Sequence, residues 1–184
     1  MSFSLIPDLL LTDYGDLTPQ MLTERGICLL LCDLDYTLAP KYVPRPDDRL
    51  RAWLAEMQRA GIRVMICTGR ECEAVRRRAA DLKITDVYQN VGKKAAFLRG
   101  FMAENHYARE EVAYCGDDLN DLAAMALCGF VACPADAAAE VKARADYICP
   151  QRGGEGAVRG AVEKILRGDG RWKDAVQKAF DVEL

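Results

Sequence analysis

Four short apolar runs punctuate the middle of the chain, and each gives way to polar or glycine-bearing residues: Ile27-Cys28-Leu29-Leu30-Leu31-Cys32, Ile62-Arg63-Val64-Met65-Ile66-Cys67, Val112-Ala113-Tyr114-Cys115 and Gly129-Phe130-Val131-Ala132-Cys133. The first run is apolar at every position, as expected of a strand buried on both faces in a parallel sheet. Between the runs the pattern changes period. Leu50, Trp53, Leu54 and Met57 recur every three to four residues behind Asp47 or Asp48, which can cap a helix lasting to about residue 60, where Gly61 ends it. Similar spacing predicts helices over about 71–82, 93–105, 119–127 and 135–144, with short strands at 86–88 and 146–148. Residues 155–181 also read as helical, interrupted near Gly168-Asp169-Gly170.

Strands alternating with helices are the signature of parallel βαβ units. The expected fold class is therefore α/β, a single Rossmann-like domain with a mainly parallel sheet flanked by helices. No internal repeat, low-complexity stretch or second-domain boundary interrupts the pattern, and no insertion is long enough to form a mobile cap over the sheet. At 184 residues, 51% hydrophobic and 29% charged, the chain has the volume for one two-sided core.

Charge and cysteine content narrow the function classes. A net charge of -3 speaks against a nucleic-acid surface, and the run Arg76-Arg77-Arg78 reads as the solvated face of a helix. Eight cysteines form no Cys-x-x-Cys pair, and five of them (Cys28, Cys32, Cys67, Cys115 and Cys133) lie in or at the ends of apolar runs as small buried hydrophobes. The single histidine, His106, stands in a polar segment after a helix, so no Cys/His metal site is expected. Free thiols point to a reducing cytoplasm. Residues 1–11 lack a basic start followed by a long apolar core, and no run approaches the roughly 18 apolar residues of a transmembrane segment.

The candidate chemistry begins where the first strand runs out, at Asp33-Leu34-Asp35-Tyr36-Thr37. The carboxyl edge of an α/β sheet is where ligands bind, and two carboxylates held close there repel each other unless a cation or a phosphoryl-transfer task explains them. Alone, Asp-x-Asp is equally the chemistry of a turn or a helix cap. Three further signals follow in order, each after an apolar run: Thr68-Gly69-Arg70, the pair Lys93-Lys94 opening a helix, and Gly116-Asp117-Asp118-Leu119-Asn120-Asp121.

From about residue 27 to about 160 this ordered set resembles the haloacid dehalogenase superfamily of phosphotransferases. The resemblance implies Asp33 as a nucleophile forming an aspartyl-phosphate and Asp35 as the acid and base for leaving group and water. It implies Mg2+ held by Asp33, Asp117 and the backbone carbonyl of Asp35, an all-oxygen set that suits that ion. Lys94, with Lys93 in reserve, would neutralise the phosphoryl oxygens. Thr68 and the Gly69 amide would donate to them, joined by the amides of Leu34 and Tyr36. Asn120 and Asp121 would hold the lysine and the metal waters. Asp118 fits either a site role or a cap on the helix that follows it.

The second half, with Asp86-Val87-Tyr88-Gln89, Ala145-Asp146-Tyr147 and Gly153-Gly154-Glu155-Gly156-Ala157-Val158-Arg159, is similar to 3-deoxy-manno-octulosonate 8-phosphate phosphatases and their nine-carbon sugar-acid relatives. On that likeness Arg70 and Arg159 would meet a substrate carboxylate or sugar hydroxyls, although Arg159 equally suits a helix surface. The first half departs from that pattern. Tyr36 stands where those enzymes carry glycine, and residues 38–46 are shorter than the hairpin that builds their tetramer. The opening, Leu5-Ile6-Pro7-Asp8, Leu17-Thr18-Pro19 and Arg25-Gly26-Ile27, looks like the phosphatidylglycerophosphate phosphatase branch.

The expectation is a magnesium-dependent phosphomonoesterase acting on a phosphorylated small molecule, by preference a sugar-acid phosphate. A lipid head-group phosphatase, a phosphomutase and a non-catalytic scaffold are the alternatives. With no cap, the open site must take a large substrate or be covered by a neighbouring subunit, and a homo-oligomer is expected, a tetramer being one form.

Overall fold

The computed structural model describes residues 26–38, 51, 54, 55, 57, 59, 61–154, 161, 164, 165, 167, 168, 170 and 171. The opening motifs as far as Arg25, the segment 39–50, Trp53, Arg159 and most of the expected helix over 155–181 lie outside the described residues.

Among the described residues six strands form one sheet: β1 (Leu29–Cys32), β2 (Arg63–Cys67), β3 (Val87–Tyr88), β4 (Val112–Cys115), β5 (Phe130–Cys133) and β6 (Tyr147–Ile148). Every pairing is parallel. The order β3-β2-β1-β4-β5-β6 puts β1, the most uniformly apolar run, at the centre. From β1 the chain winds outward through β2 and β3, then returns to β4 on the other side. The loops after β1 and β4 therefore part from each other, which opens a crevice at the carboxyl edge of the sheet.

Side chains alternate across the strands and fill two cores. On one face Leu30, Cys32, Ile66, Ala113 and Cys115 pack with Leu54, Met57, Ala161, Ile165 and the apolar stripe Val75, Ala79 and Leu82 on and just beyond helix α1 (Glu73–Asp81). On the other face Leu29, Leu31, Met65, Val112 and Tyr114 meet Leu98 and Phe101 of helix α2 (Lys94–Asn105). Ala124 and Met125 of α3 (Leu122–Met125) and Val141 of α4 (Ala139–Lys142) complete that layer. The two-residue edge strand β3 is tied in by Arg63, which donates from Nε and Nη2 to both Asp86 carboxylate oxygens at 2.7 and 2.8 Å.

Two helices are shorter than the pattern predicts. The expected helix over 119–127 is a 3-10 turn (Leu119–Asp121) followed by the four residues of α3, and 135–144 contributes only α4. Tertiary bonds explain the second case: the Ala137 amide closes a turn on the Pro134 carbonyl at 3.1 Å, and the Ala138 amide leaves the local chain to donate to the Asp117 carbonyl at 2.9 Å.

All eight cysteines are free thiols. Cys28, expected to be buried, is only half buried because it precedes β1, while Cys128 and Cys149 join the buried set. Among the described residues no helix is long and apolar enough to cross a membrane.

Candidate active site

Asp33 is the first residue beyond β1, where the strand direction aims it into the crevice, and its amide donates to the Cys115 carbonyl of β4 at 2.9 Å. Its carboxylate Oδ1 accepts from Lys94 Nζ at 2.6 Å. The same ammonium donates to Asp121 Oδ1 at 2.6 Å, so Lys94 bridges two carboxylates from separate loops. Lys94, Leu98 and Phe101 form the buried stripe of α2, which settles the lysine pair: Lys94 faces inward and Lys93 is exposed.

Asp121 has no solvent exposure. Its Oδ1 also accepts from the Tyr114 hydroxyl at 2.7 Å, and its Oδ2 accepts from the Asp118 amide at 3.3 Å. Gly116 makes room for that carboxylate, since a Cβ there would sit 2.5 Å from Asp121 Oδ2. Asp118 itself is exposed and takes the Leu119 amide on Oδ1 at 2.7 Å, the cap alternative. Asn120 is also exposed, and Asp33 and Asp121 are the partners that hold Lys94.

Beside this bridge, Thr37 is buried and donates from Oγ1 to Asp117 Oδ1 at 2.6 Å, linking the loop after β1 to the loop after β4. Thr68, at the end of β2, is buried and accepts the Arg70 amide on Oγ1 at 3.2 Å, which leaves its hydroxyl proton to give. Gly69 beside it is exposed. Arg70 Nη1 donates to Asp35 Oδ2 at 2.8 Å and Nη2 donates to Cys72 Sγ at 3.3 Å. Asp35 Oδ1 is buried without a hydrogen bond, and the Arg78 guanidinium stands 4.0 Å from it.

Arg78 corrects the reading of the arginine run. Arg76 and Arg77 are solvated and pair with Glu73 at 3.1 and 3.2 Å, but Arg78 is buried on the stripe of α1 that carries Val75 and Ala79. Its three-residue spacing from Val75 was the available signal. Nothing in the sequence pattern singles out Thr37 or Tyr114, since a tyrosine inside an apolar run reads as core.

The electrostatics leave a deficit of positive charge. Asp33 and Asp121 share one ammonium, and Asp117 lies close enough to interact with the group. Burial pushes the Asp33 carboxyl from an ordinary 3.8 up to about 7, with Asp121 and Asp117 adding to the rise against the pull of Lys94. Asp117 is raised as well, again first by burial and then by its acidic neighbours, while Thr37 and Lys94 oppose. Burial works against the Lys94 charge, but Asp33 and Asp121 outweigh it and hold the ammonium above its ordinary value. A second cation would relieve both aspartates.

Lys94 and Thr37 each engage one oxygen of Asp33 and Asp117, leaving the other oxygen for such an ion. Among the described residues no three acidic, imidazole or thiol side chains form a ready metal cage. Two carboxylates with a backbone carbonyl and water are the oxygen set that magnesium accepts without one.

Carboxylates at the diverging loops of a parallel sheet, bridged by a buried lysine beside a buried threonine, make a site built for an anion and its counter-cation. Residues 30–91 and 80–159 match the haloacid dehalogenase-like hydrolase family, and the chain belongs to that family as one of its phosphatases. Over 176 residues, 90% of this chain and 94% of the relative, it is 32% identical to the 3-deoxy-D-manno-octulosonate 8-phosphate phosphatase KdsC of Salmonella typhimurium. The cobalt-bound octulosonate 8-phosphate phosphatase of Haemophilus influenzae has a TM-score of 0.75 at 28% identity, covering 86% of this chain and 95% of that one. The Moraxella catarrhalis enzyme, in complex with magnesium ion, phosphate ion and KDO, also scores 0.75 at 28% identity, covering 87% and 96%.

Proposed function

We propose that this phosphatase is a magnesium-dependent phosphomonoesterase that releases phosphate from a sugar-acid phosphate of the octulosonate 8-phosphate kind. The observation that carries the reading is the Lys94 bridge from Asp33 to Asp121 with Asp117 held alongside by Thr37. The extent of the likeness to KdsC supports the substrate class.

In the first step an Asp33 carboxylate oxygen bonds to phosphorus as the bond from phosphorus to the sugar oxygen breaks, and Asp35 gives the departing alkoxide its proton. Asp35 then takes a proton from water. The water oxygen bonds to phosphorus, the aspartyl-phosphate bond breaks, and inorganic phosphate leaves with Asp33 regenerated. Lys94, the Thr68 hydroxyl and the amides of Leu34, Tyr36 and Gly69 hold the phosphoryl oxygens while charge spreads over them. Asp33, Asp117 and the Asp35 carbonyl would hold magnesium, whose chemistry here is neutralising phosphoryl charge. Arg70 anchors Asp35 in the free protein, and its fork would match a substrate carboxylate bidentately.

The test is phosphate release from octulosonate 8-phosphate, nonulosonate 9-phosphates, hexose phosphates and phosphatidylglycerophosphate, with magnesium or chelator. Magnesium-dependent turnover of a sugar-acid phosphate, abolished in Asp33→Asn, is the expected result. Preference for the phospholipid in detergent would overturn the substrate class, and transfer of phosphate to a sugar hydroxyl would make the protein a mutase.

A further inference from the structure

Tyr36 sits between the two aspartates' turn and Thr37 with φ +59°, a left-handed conformation that a Cβ makes costly. Four non-glycine residues among those described share that sign of φ, and three have local reasons. Lys83 follows the end of α1, His106 caps α2, and Asn90 is a residue type that tolerates the region. Tyr36 is bulky and aromatic, and at such a position strain is retained where the surroundings over-determine it.

The surroundings do so here. Asp35 is held by Arg70, the Thr37 side chain by Asp117, and the Thr37 carbonyl accepts from the Gly154 amide at 2.9 Å. Gly153 lies against the Tyr36 carbonyl so closely that a Cβ there would overlap it. A glycine at position 36 would meet every one of these backbone demands without strain.

Among the described residues, then, the backbone does not need the ring and no neighbour engages it. Tyr36 is 45% exposed and makes no ring contact or hydrogen bond among the described residues. Of the three large apolar side chains exposed among the described residues, Tyr36 and Leu119 stand on the two neighbouring loops that carry Asp33 and Asp117. An aromatic and an aliphatic group thus border an otherwise charged site.

We propose that Tyr36 determines substrate size, its ring lying along the C–H face of a polyhydroxylated carbon chain esterified to the phosphate, with Leu119 on the opposite side. A tyrosine suits such a ligand because its ring covers carbon while its hydroxyl meets the ligand's hydroxyls. The inference rests on the phosphomonoesterase reading and extends it, since a phosphate alone needs neither side chain.

The experiment compares kcat/KM for octulosonate 8-phosphate and for acetyl phosphate, whose acetyl group offers no polyhydroxylated chain to cover, in the wild type, Tyr36→Gly and Tyr36→Phe. In Tyr36→Gly the preference for the sugar-acid ester falls by about tenfold or more, mainly through KM, whereas Tyr36→Phe keeps most of it. Because glycine accepts φ +59°, the melting temperature of Tyr36→Gly stays close to that of the wild type. An unchanged preference in Tyr36→Gly, with the wild type turning over both compounds, overturns the role of Tyr36 and leaves the phosphatase reading intact. A wild type that hydrolyses acetyl phosphate but no polyhydroxylated ester overturns the substrate class and the role of Tyr36 with it.

Discussion

Asp121 Oδ1 receives both the Lys94 ammonium and the Tyr114 hydroxyl, so one fully buried carboxylate oxygen sets the position of the cation that faces Asp33. Tyr114→Phe keeps the ring and deletes only the donor. Its expected cost is about 1–3 kcal/mol of stability, as for any buried acceptor left short of a partner. Because Lys94 shares the acceptor, turnover falls with it, and so does affinity for tungstate as a phosphate mimic, a loss that mere loosening of the core would not produce. Gly116→Ala acts on the other oxygen, where a Cβ 2.5 Å from Oδ2 forces the carboxylate aside. Denaturation and tungstate titration of the two variants check the pair, and unaltered tungstate affinity in both would separate Asp121 from the positioning of Lys94. The residues that sequence made legible here are those at strand ends and a helix start, where position alone implies direction: Asp33, Thr68, Lys94 and Asp117. Tyr114 and Thr37 were hidden because their partners lie seven and 80 residues away in the chain, and nothing local signals a hydrogen bond of that reach.

At the scale of elements, the loops at the carboxyl edge hold one another in place. The Gly153 amide donates to Asp136 Oδ1 at 2.9 Å, and a Cβ at Gly153 would overlap the Tyr36 carbonyl, so the loop after β6 braces the turn that carries Asp33 and Asp35. Gly153→Ala has no room for its methyl group against backbone, which cannot rotate away as a side chain would. It should cost about 1–3 kcal/mol, as overpacking does, and lower turnover more than Gly100→Ala on the open face of α2, where nothing lies within 4 Å. Urea denaturation and initial rates for the two variants check this; equal effects would show that the contact does not brace the turn. The strands were readable because an apolar run of four to six residues between breakers leaves few alternatives in a βαβ alternation. Helix lengths were not. The alanine-rich stretch 135–144 has helical propensity throughout, yet its first residues are spent on the Pro134 turn and on the bond from Ala138 to Asp117. Propensity is a weak prior beside such tertiary bonds.

For the whole molecule, the crowding of carboxylates around Lys94 ties stability to pH and to divalent cation. With Asp33 pushed from 3.8 up to about 7, the folded, metal-free protein holds a proton there that the unfolded chain has already released. Between about pH 4 and pH 7 the native state binds more protons than the unfolded state, so this group makes stability fall as pH rises, most of the loss being complete once pH has passed the folded value. On the proposed function, magnesium would compete for the same carboxylate. Its stabilisation follows the ratio of its concentration to its dissociation constant, and proton competition weakens binding at the acid end. Saturating magnesium should therefore leave the high-pH protein stable, and at a fixed subsaturating concentration the rise in melting temperature should be larger near pH 8 than near pH 6. Asp33→Asn cannot exchange a proton for a cation, so most of the pH dependence of that rise disappears, whereas Asp118→Asn, altering an exposed cap, preserves it. Differential scanning calorimetry of the three proteins with and without magnesium decides the matter. A magnesium effect equal at both pH values in the wild type would mean that the ion does not displace the Asp33 proton, and the metal site would have to be sought away from Asp33.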